Sequence, residues 1–246
     1  GDNWSPMNTG LTTGHVTDLA IEPETPATLY AGTNGDGVFK STDGGASWSP
    51  LDLSLADLGV SALAIDPETP ATLYTGTYHR GVLRSVDSGG SWSQVNPGLI
   101  ASYIYALAID PTTPTTVYAG TAGAGAYKSM DAGGSWSEVN TGLTATLIAD
   151  LATDPQTPTT LYAATRGGVF KSTNGGENWS LINGGITGGT LAIDPVTPTT
   201  VYAGTYSGVY KSTDGGASWL PINTGLTNND VEALVINPVT PTTLYA

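Results

Sequence analysis

Repeated four-stranded antiparallel sheets, set as the blades of an all-β propeller, are the fold class this sequence predicts, and three observations predict it. An eight-residue phrase, Ser-x-Asp-x-Gly-x-x-Trp, occupies residues 41–48, 85–92, 129–136 and 212–219, with Asn174 replacing the Asp in residues 172–179. All 6 tryptophans fall on its last position, and Trp4, Trp48, Trp92, Trp136, Trp179 and Trp219 follow one another at steps of 44, 44, 44, 43 and 40 residues. Periods of this size belong to propellers and solenoids. Each period also holds four short apolar runs separated by Gly- and Pro-rich turns, the pattern of one blade.

The elements follow in chain order. Residues 4–11 read as a short strand running into a turn. Residues 16–21 mix large and small apolar side chains, as do 60–65, 104–109, 148–153 and 231–236; this is expected of an innermost strand buried on both faces near a crowded axis. A turn follows at 22–26, and each of its copies places two prolines three apart, which forbids strand or helix there. Residues 28–31 form the second strand and 37–41 the third. The phrase then turns the chain into a fourth strand beginning at its Trp. So counted, the chain starts on a fourth strand, ends on a second, and lacks one third strand. The expectation is a single domain over residues 1–246 with six blades, the N-terminal strand closing with the C-terminal blade and the sixth blade lacking one strand within this chain. Such an edge invites self-association.

Within the phrase each residue has a mechanical task. The carboxylate of Asp43, Asp87, Asp131 or Asp214, or the amide of Asn174, can accept bonds from amides just downstream, and the glycines supply positive φ. Trp48, Trp92, Trp136, Trp179 and Trp219 then enter the next strand as large buried rings. These ten residues are read as structural.

The boxes resemble the Asp-box (BNR) repeats of sialidase-like propellers, xyloglucan-degrading enzymes, sortilin-type receptors and photosystem assembly factors. The resemblance spans nearly the whole chain, with four complete boxes, the Asn174 variant and half a box at residues 1–4. It implies a propeller whose boxes stabilise hairpins away from the sites where known members act.

Composition narrows the function classes. Lys and Arg number 7 against 21 Asp and Glu, a net charge of −14; such a chain repels phosphate backbones, so nucleic acid is not expected as a partner. With 0 cysteines there is no disulfide, thiolate ligand or thiol nucleophile. No apolar run reaches the ~20 residues of a bilayer-spanning helix. The Thr-, Ser- and Gly-rich, lysine-poor composition, together with the resemblance, suggests an extracellular or cell-surface protein.

Side-chain variety among the copies collects in two loop sets that open on one rim, opposite the boxes. From these loops the candidate ligand-binding residues are Asn34, Asp36, Tyr78, His79, Arg80, Tyr103, Tyr105, Arg166 and Tyr206, whose aromatic and cationic character suits protein or glycan contacts. Sialidases use three arginines; of Arg80, Arg84 and Arg166 here, Arg84 stands where the other repeats carry Lys40, Lys128, Lys171 and Lys211, and reads as a strand residue with a solvated head group. His15 and His79 lie in different repeats without a third ligand, so no metal site is assigned. Asp18 and Asp150 fall on innermost strands, where they could hold a cation or ordered water in the channel. A glycoside hydrolase needs two facing carboxylates; the rim acids Asp36, Asp57 and Asp230 come from three repeats. The resulting expectation is a non-catalytic binding or scaffolding propeller without cofactor. A structural subunit completed by strand donation, or a sialidase-like or xyloglucanase-like hydrolase, are the alternatives.

Overall fold

A computed structural model describes residues 6–12, 15–52, 55, 58–237 and 240–246. Five four-stranded antiparallel sheets succeed one another along the chain. Blade one is β1 (Val16–Ile21), β2 (Leu29–Thr33), β3 (Val38–Ser41) and β4 (Ser49–Pro50); blade two is β5 (Val60–Ile65), β6 (Leu73–Thr77), β7 (Val82–Ser85) and β8 (Ser93–Gln94). Blade three is β9 (Ile104–Ile109), β10 (Val117–Thr121), β11 (Ala126–Ser129) and β12 (Ser137–Glu138). Blade four comprises β13 (Ile148–Thr153), β14 (Leu161–Thr165), β15 (Gly168–Ser172) and β16 (Ser180–Asn183), and blade five β17 (Thr190–Ile193), β18 (Val201–Thr205), β19 (Gly208–Ser212) and β20 (Leu220–Pro221). A two-stranded sheet, β21 (Val235–Ile236) with β22 (Leu244–Tyr245), follows.

The innermost strands of the first four blades begin and end where the sequence places them. The blade number differs: among the described residues there are five blades, where six were expected with the sixth lacking a strand. The expected innermost strand over 231–236 shortens to Val235–Ile236. The strand expected at 4–11 lies partly outside the described residues, Trp4 included, and described residues 6–12 contain no strand.

Burial shows where the series of blades stops. Val60, Ile104 and Ile148 are fully buried between successive blades, but the equivalent Val16 on β1 is 37% exposed. Leu19, Ile21 and, at the other end, Val235 are also exposed. The innermost strands are therefore not buried on both faces as expected; one face looks into the channel, and among the described residues the first and last of them pack against an adjacent blade on one side, β1 against β5 and β21 against β17.

Each box closes its hairpin through side-chain bonds. Ser41 Oγ donates to Asp43 Oδ1 at 2.7 Å and accepts from the Gly45 amide at 2.8 Å. Asp43 in turn accepts from the Ser47 amide at 2.9 Å and the Ser47 hydroxyl at 2.6 Å. Asp87, Asp131 and Asp214 repeat the arrangement, and Asn174 keeps the amide bond, from Asn178, at 3.0 Å. These bonds, led by the one from the Ser47 hydroxyl, hold the Asp43 carboxyl down at about 2. Asp43→Ala is expected to lower the melting temperature and Asp43→Asn to lower it less, since Asn174 already serves; equal losses in a thermal melt would show that the carbonyl oxygen does not carry the turn.

Arg84 departs from the expected solvated head group. Its guanidinium lies over Tyr74 at 5.8 Å, just as Lys40, Lys128, Lys171 and Lys211 lie over Tyr30, Tyr118, Tyr162 and Tyr202. A cation on a ring face gains quadrupole attraction that water alone does not supply. Two of these lysines also grip the following box: Lys128 Nζ donates to the Gly175 carbonyl at 3.2 Å and Lys171 Nζ to that of Gly215 at 2.9 Å.

Candidate functional site: an aromatic rim beside a polar channel mouth

The loop between β6 and β7 and the start of β9, with Tyr103 just before the strand and Tyr105 on it, bring four rings together. Tyr78 meets Tyr105 edge-on at 6.1 Å, and His79 meets Tyr103 edge-on at 5.0 Å. Such T-shaped pairs set the positive edge of one ring against the negative face of the next. Blade one extends the patch. Asn34 bridges to Gly59, and the Tyr78 amide donates to the Gly59 carbonyl at 3.0 Å. A Cβ at Gly59 would run into the Tyr78 ring, so glycine is what lets that ring lie against the strand.

The other rim residues stand apart from this cluster or serve local turns. Asp36 accepts from the Thr12 hydroxyl at 3.0 Å. The Arg80 amide donates to Thr77 Oγ1 at 2.9 Å, and its carbonyl accepts from Asn96 Nδ2 at 2.7 Å; its side chain is exposed. Arg166 on blade four and Tyr206 on blade five, the latter 74% exposed, are joined to the four rings by no contact among the described residues. Of the rim acids, Asp57 lies outside the described residues and Asp230 is exposed.

Tyr105 also lines a cavity of about 550 Å³ on the axis, together with Asp18, Asp150, Thr190 and Glu232. A second hollow further along the axis, about 450 Å³, is lined mainly by apolar groups such as Leu107, Leu151, Ile193 and Ile236. The two aspartates act as staples between blades. Asp18 accepts from its neighbour Leu19 at 2.8 Å and from the amide of Leu63, on the next blade, at 2.7 Å. Asp150 accepts likewise from Leu151 at 2.8 Å and across to Leu191 at 2.7 Å and the Thr190 hydroxyl at 3.2 Å. Burial raises both carboxyls to about 6 against the opposing pull of these amides, and the charge of Asp18 adds to the rise at Asp150. Among the described residues no group of three His, Cys, Asp or Glu side chains could hold a metal ion.

The inter-blade role of Asp18 and Asp150 was missed by reading the sequence for ligands. A signal for it exists: the same strand position is Ala62 and Ala106 in the intervening repeats. The hydroxyls of Thr17 and Ser61 also span blades, donating to the carbonyls of Val60 and Ile104 whether or not the aspartate is present.

Fold and site together define an all-β propeller of four-stranded antiparallel blades with a ring-lined rim. No protein-family model matches the sequence, and no curated protein matches it. Solved structures share the fold. The chain is similar to an ancestral GH74 enzyme at 24% identity and a TM-score of 0.76, covering 97% of this chain and 35% of that one. It is similar to YCF48 bound to D1 peptide at 17% identity and a TM-score of 0.52, over 96% of this chain and 89% of that one. A third likeness is to the extracellular domain of a protein assigned to the hybrid two-component systems of B. thetaiotaomicron, at 15% identity and a TM-score of 0.67, over 90% of this chain and 31% of that one. The chain thus spans about a third of the GH74 enzyme's length. At these identities the likeness establishes the fold, which hydrolases and binding proteins share.

Proposed function

We propose that this propeller is a non-catalytic binding module that takes a protein or glycan ligand on the rim formed by Asn34, Tyr78, His79, Tyr103 and Tyr105. The observation that carries the reading is the pair of edge-on ring contacts joining two successive blades, with Tyr103 still 43% exposed. Rigid aromatic surface costs little conformational entropy to present, and it stacks on sugar faces as readily as on peptide side chains. Arg80, exposed and next to His79 in the chain, supplies positive charge beside the patch in an otherwise acidic chain. The YCF48–peptide complex supports a peptide as ligand, and the extracellular sensor domain supports an extracellular setting.

The test is a glycan array together with a peptide library, followed by titration of the best ligand. Tyr103→Ala is expected to weaken binding at least tenfold, with the melting temperature unchanged because the ring is on the surface. Cleavage of xyloglucan or a sialoside by the purified chain, abolished by a single carboxylate substitution, would overturn the non-catalytic reading. Ligand binding indifferent to Tyr78→Ala and Tyr103→Ala would overturn the site.

A further inference from the structure

Three Asn-Gly pairs occur in the chain: Asn34-Gly35, Asn174-Gly175 and Asn183-Gly184. This dipeptide carries a chemistry of its own. A glycine amide nitrogen has no neighbouring side chain to shield it, so it can swing onto the side-chain carbonyl carbon of the preceding asparagine and close a five-membered ring. Closure needs an asparagine side chain free to turn, a glycine N–H free to lose its proton, and room for the ring.

Two of the pairs are denied these conditions by their hydrogen bonds. Asn174 is clamped in its box: its Oδ1 accepts from Ser172 Oγ at 2.9 Å and from the Asn178 amide at 3.0 Å. The Gly175 N–H is buried and donates to the Thr159 carbonyl at 2.8 Å. Asn183, at the end of β16, has its Oδ1 held by the Gly185 and Ile186 amides at 2.7 and 3.1 Å. Side-chain bonds of this local kind fix the rotamer that ring closure would have to change.

Asn34 differs in each respect. It is exposed in the loop between β2 and β3, and among the described residues no hydrogen bond holds its side-chain amide. The Gly35 N–H reaches only the Thr33 carbonyl, at 3.1 Å, across a loop of three residues, a weaker closure than the bond at Gly175. Nothing lies within 4 Å of a Cβ built on Gly35, so the ring has room. Gly35 and Gly37 hold φ at 117 and 76°, which makes the loop one that glycine alone adopts readily. The backbone bond that does anchor the residue, from the Asn34 amide to the His15 carbonyl at 3.1 Å, uses an atom outside the reacting ring.

We propose that Asn34 is a self-modification site, converted by solvent water to aspartate and isoaspartate while the protein is folded. The Gly35 nitrogen gives its proton to solvent and attacks Cγ of Asn34; the side-chain nitrogen leaves as ammonia, and a succinimide remains. Water then adds to one of the two ring carbonyls. Opening at Cγ gives aspartate, and opening at the backbone carbonyl gives isoaspartate, with no oxidant or reductant in either step. Both products add a negative charge beside Asp36. Isoaspartate also routes the backbone through the former side chain, lengthening it by a methylene at the bridge to Gly59, against which the Tyr78 ring lies. The reaction itself does not depend on what the rim binds.

The test holds the full 246-residue chain at mildly alkaline pH in water enriched in oxygen-18, folded in one arm and unfolded in urea in the other. Samples taken at intervals are mapped as peptides, with fragmentation that places each change on a residue. In urea the three pairs should react at closely similar rates. Folding should slow Asn174 and Asn183 at least tenfold and Asn34 less than tenfold. The Asn34 product should carry one heavy oxygen and divide between aspartate and isoaspartate. Asn34→Gln, whose longer side chain would have to close a larger ring, should leave the position unchanged. Folding that slows Asn34 tenfold or more would overturn the proposal, as would Asn174 or Asn183 keeping pace with Asn34 in the folded chain. Aspartate as the sole product, the mark of direct hydrolysis without the ring, would overturn it equally.

Discussion

Trp179→Ala is expected to destabilise the protein by about 3–5 kcal/mol, the range for removing a large aromatic ring from a packed core. The ring is 4% exposed, and its indole N–H is bonded to Val139 on the neighbouring blade. Its loss therefore opens a cavity at a blade interface and leaves a carbonyl without its donor. Trp179→Phe should recover part of the loss, short by about 0.5–1.5 kcal/mol for the missing bond. Trp92→Ala should cost distinctly less, because that ring is only half-buried and bonds within its own box. Urea unfolding of the three variants checks the ranking; a Trp92→Ala loss equal to that of Trp179→Ala would show that the indole bond to the neighbouring blade does not hold the blades together.

Raising the pH from 4.5 to 7.5 is expected to destabilise the fold, with Asp150 a principal cause. Burial moves its carboxyl from the ordinary 3.8 to about 6, so between those values the folded chain holds a proton that the unfolded chain releases. The stabilisation is fully present below the ordinary carboxyl value and is lost as pH rises through about 6. A rise of this size corresponds to roughly 3 kcal/mol. Asp18 acts in the same sense, and Glu232 and Tyr105 face the same cavity. The box carboxylates of Asp43, Asp87 and Asp214, held down at about 2, work the opposite way. Their contribution is present above the ordinary value and is lost only as pH falls through about 2, outside this window. Melting temperatures across the window should fall with pH, and Asp150→Asn, which cannot ionise, should flatten the fall. A profile unchanged by Asp150→Asn would remove the inter-blade staple from the account.

The amino-acid sequence by itself determined the elements whose causes are local. Two prolines three apart end each innermost strand wherever the rest of the chain goes, and β1, β5, β9 and β13 accordingly begin and end as read. Ser41, Asp43 and Gly45 close their turn through bonds spanning four residues at most, so Asn174 could be recognised as an equivalent from chemistry alone. The rim residues were legible as variable loops, but not which of them meet. Tyr78, His79, Tyr103 and Tyr105 come together because two successive blades stand side by side, while Arg166 and Tyr206 sit on blades further round. The tertiary structure alone decided the number of complete blades, the staple role of Asp18 and Asp150, and which tryptophans are buried. Each of these depends on how one blade packs on the next, over separations of about forty residues: the strands and boxes of the repeats are alike in sequence, and only their neighbours in space decide that Trp179 bonds across to Val139 while Trp92 bonds within its own box.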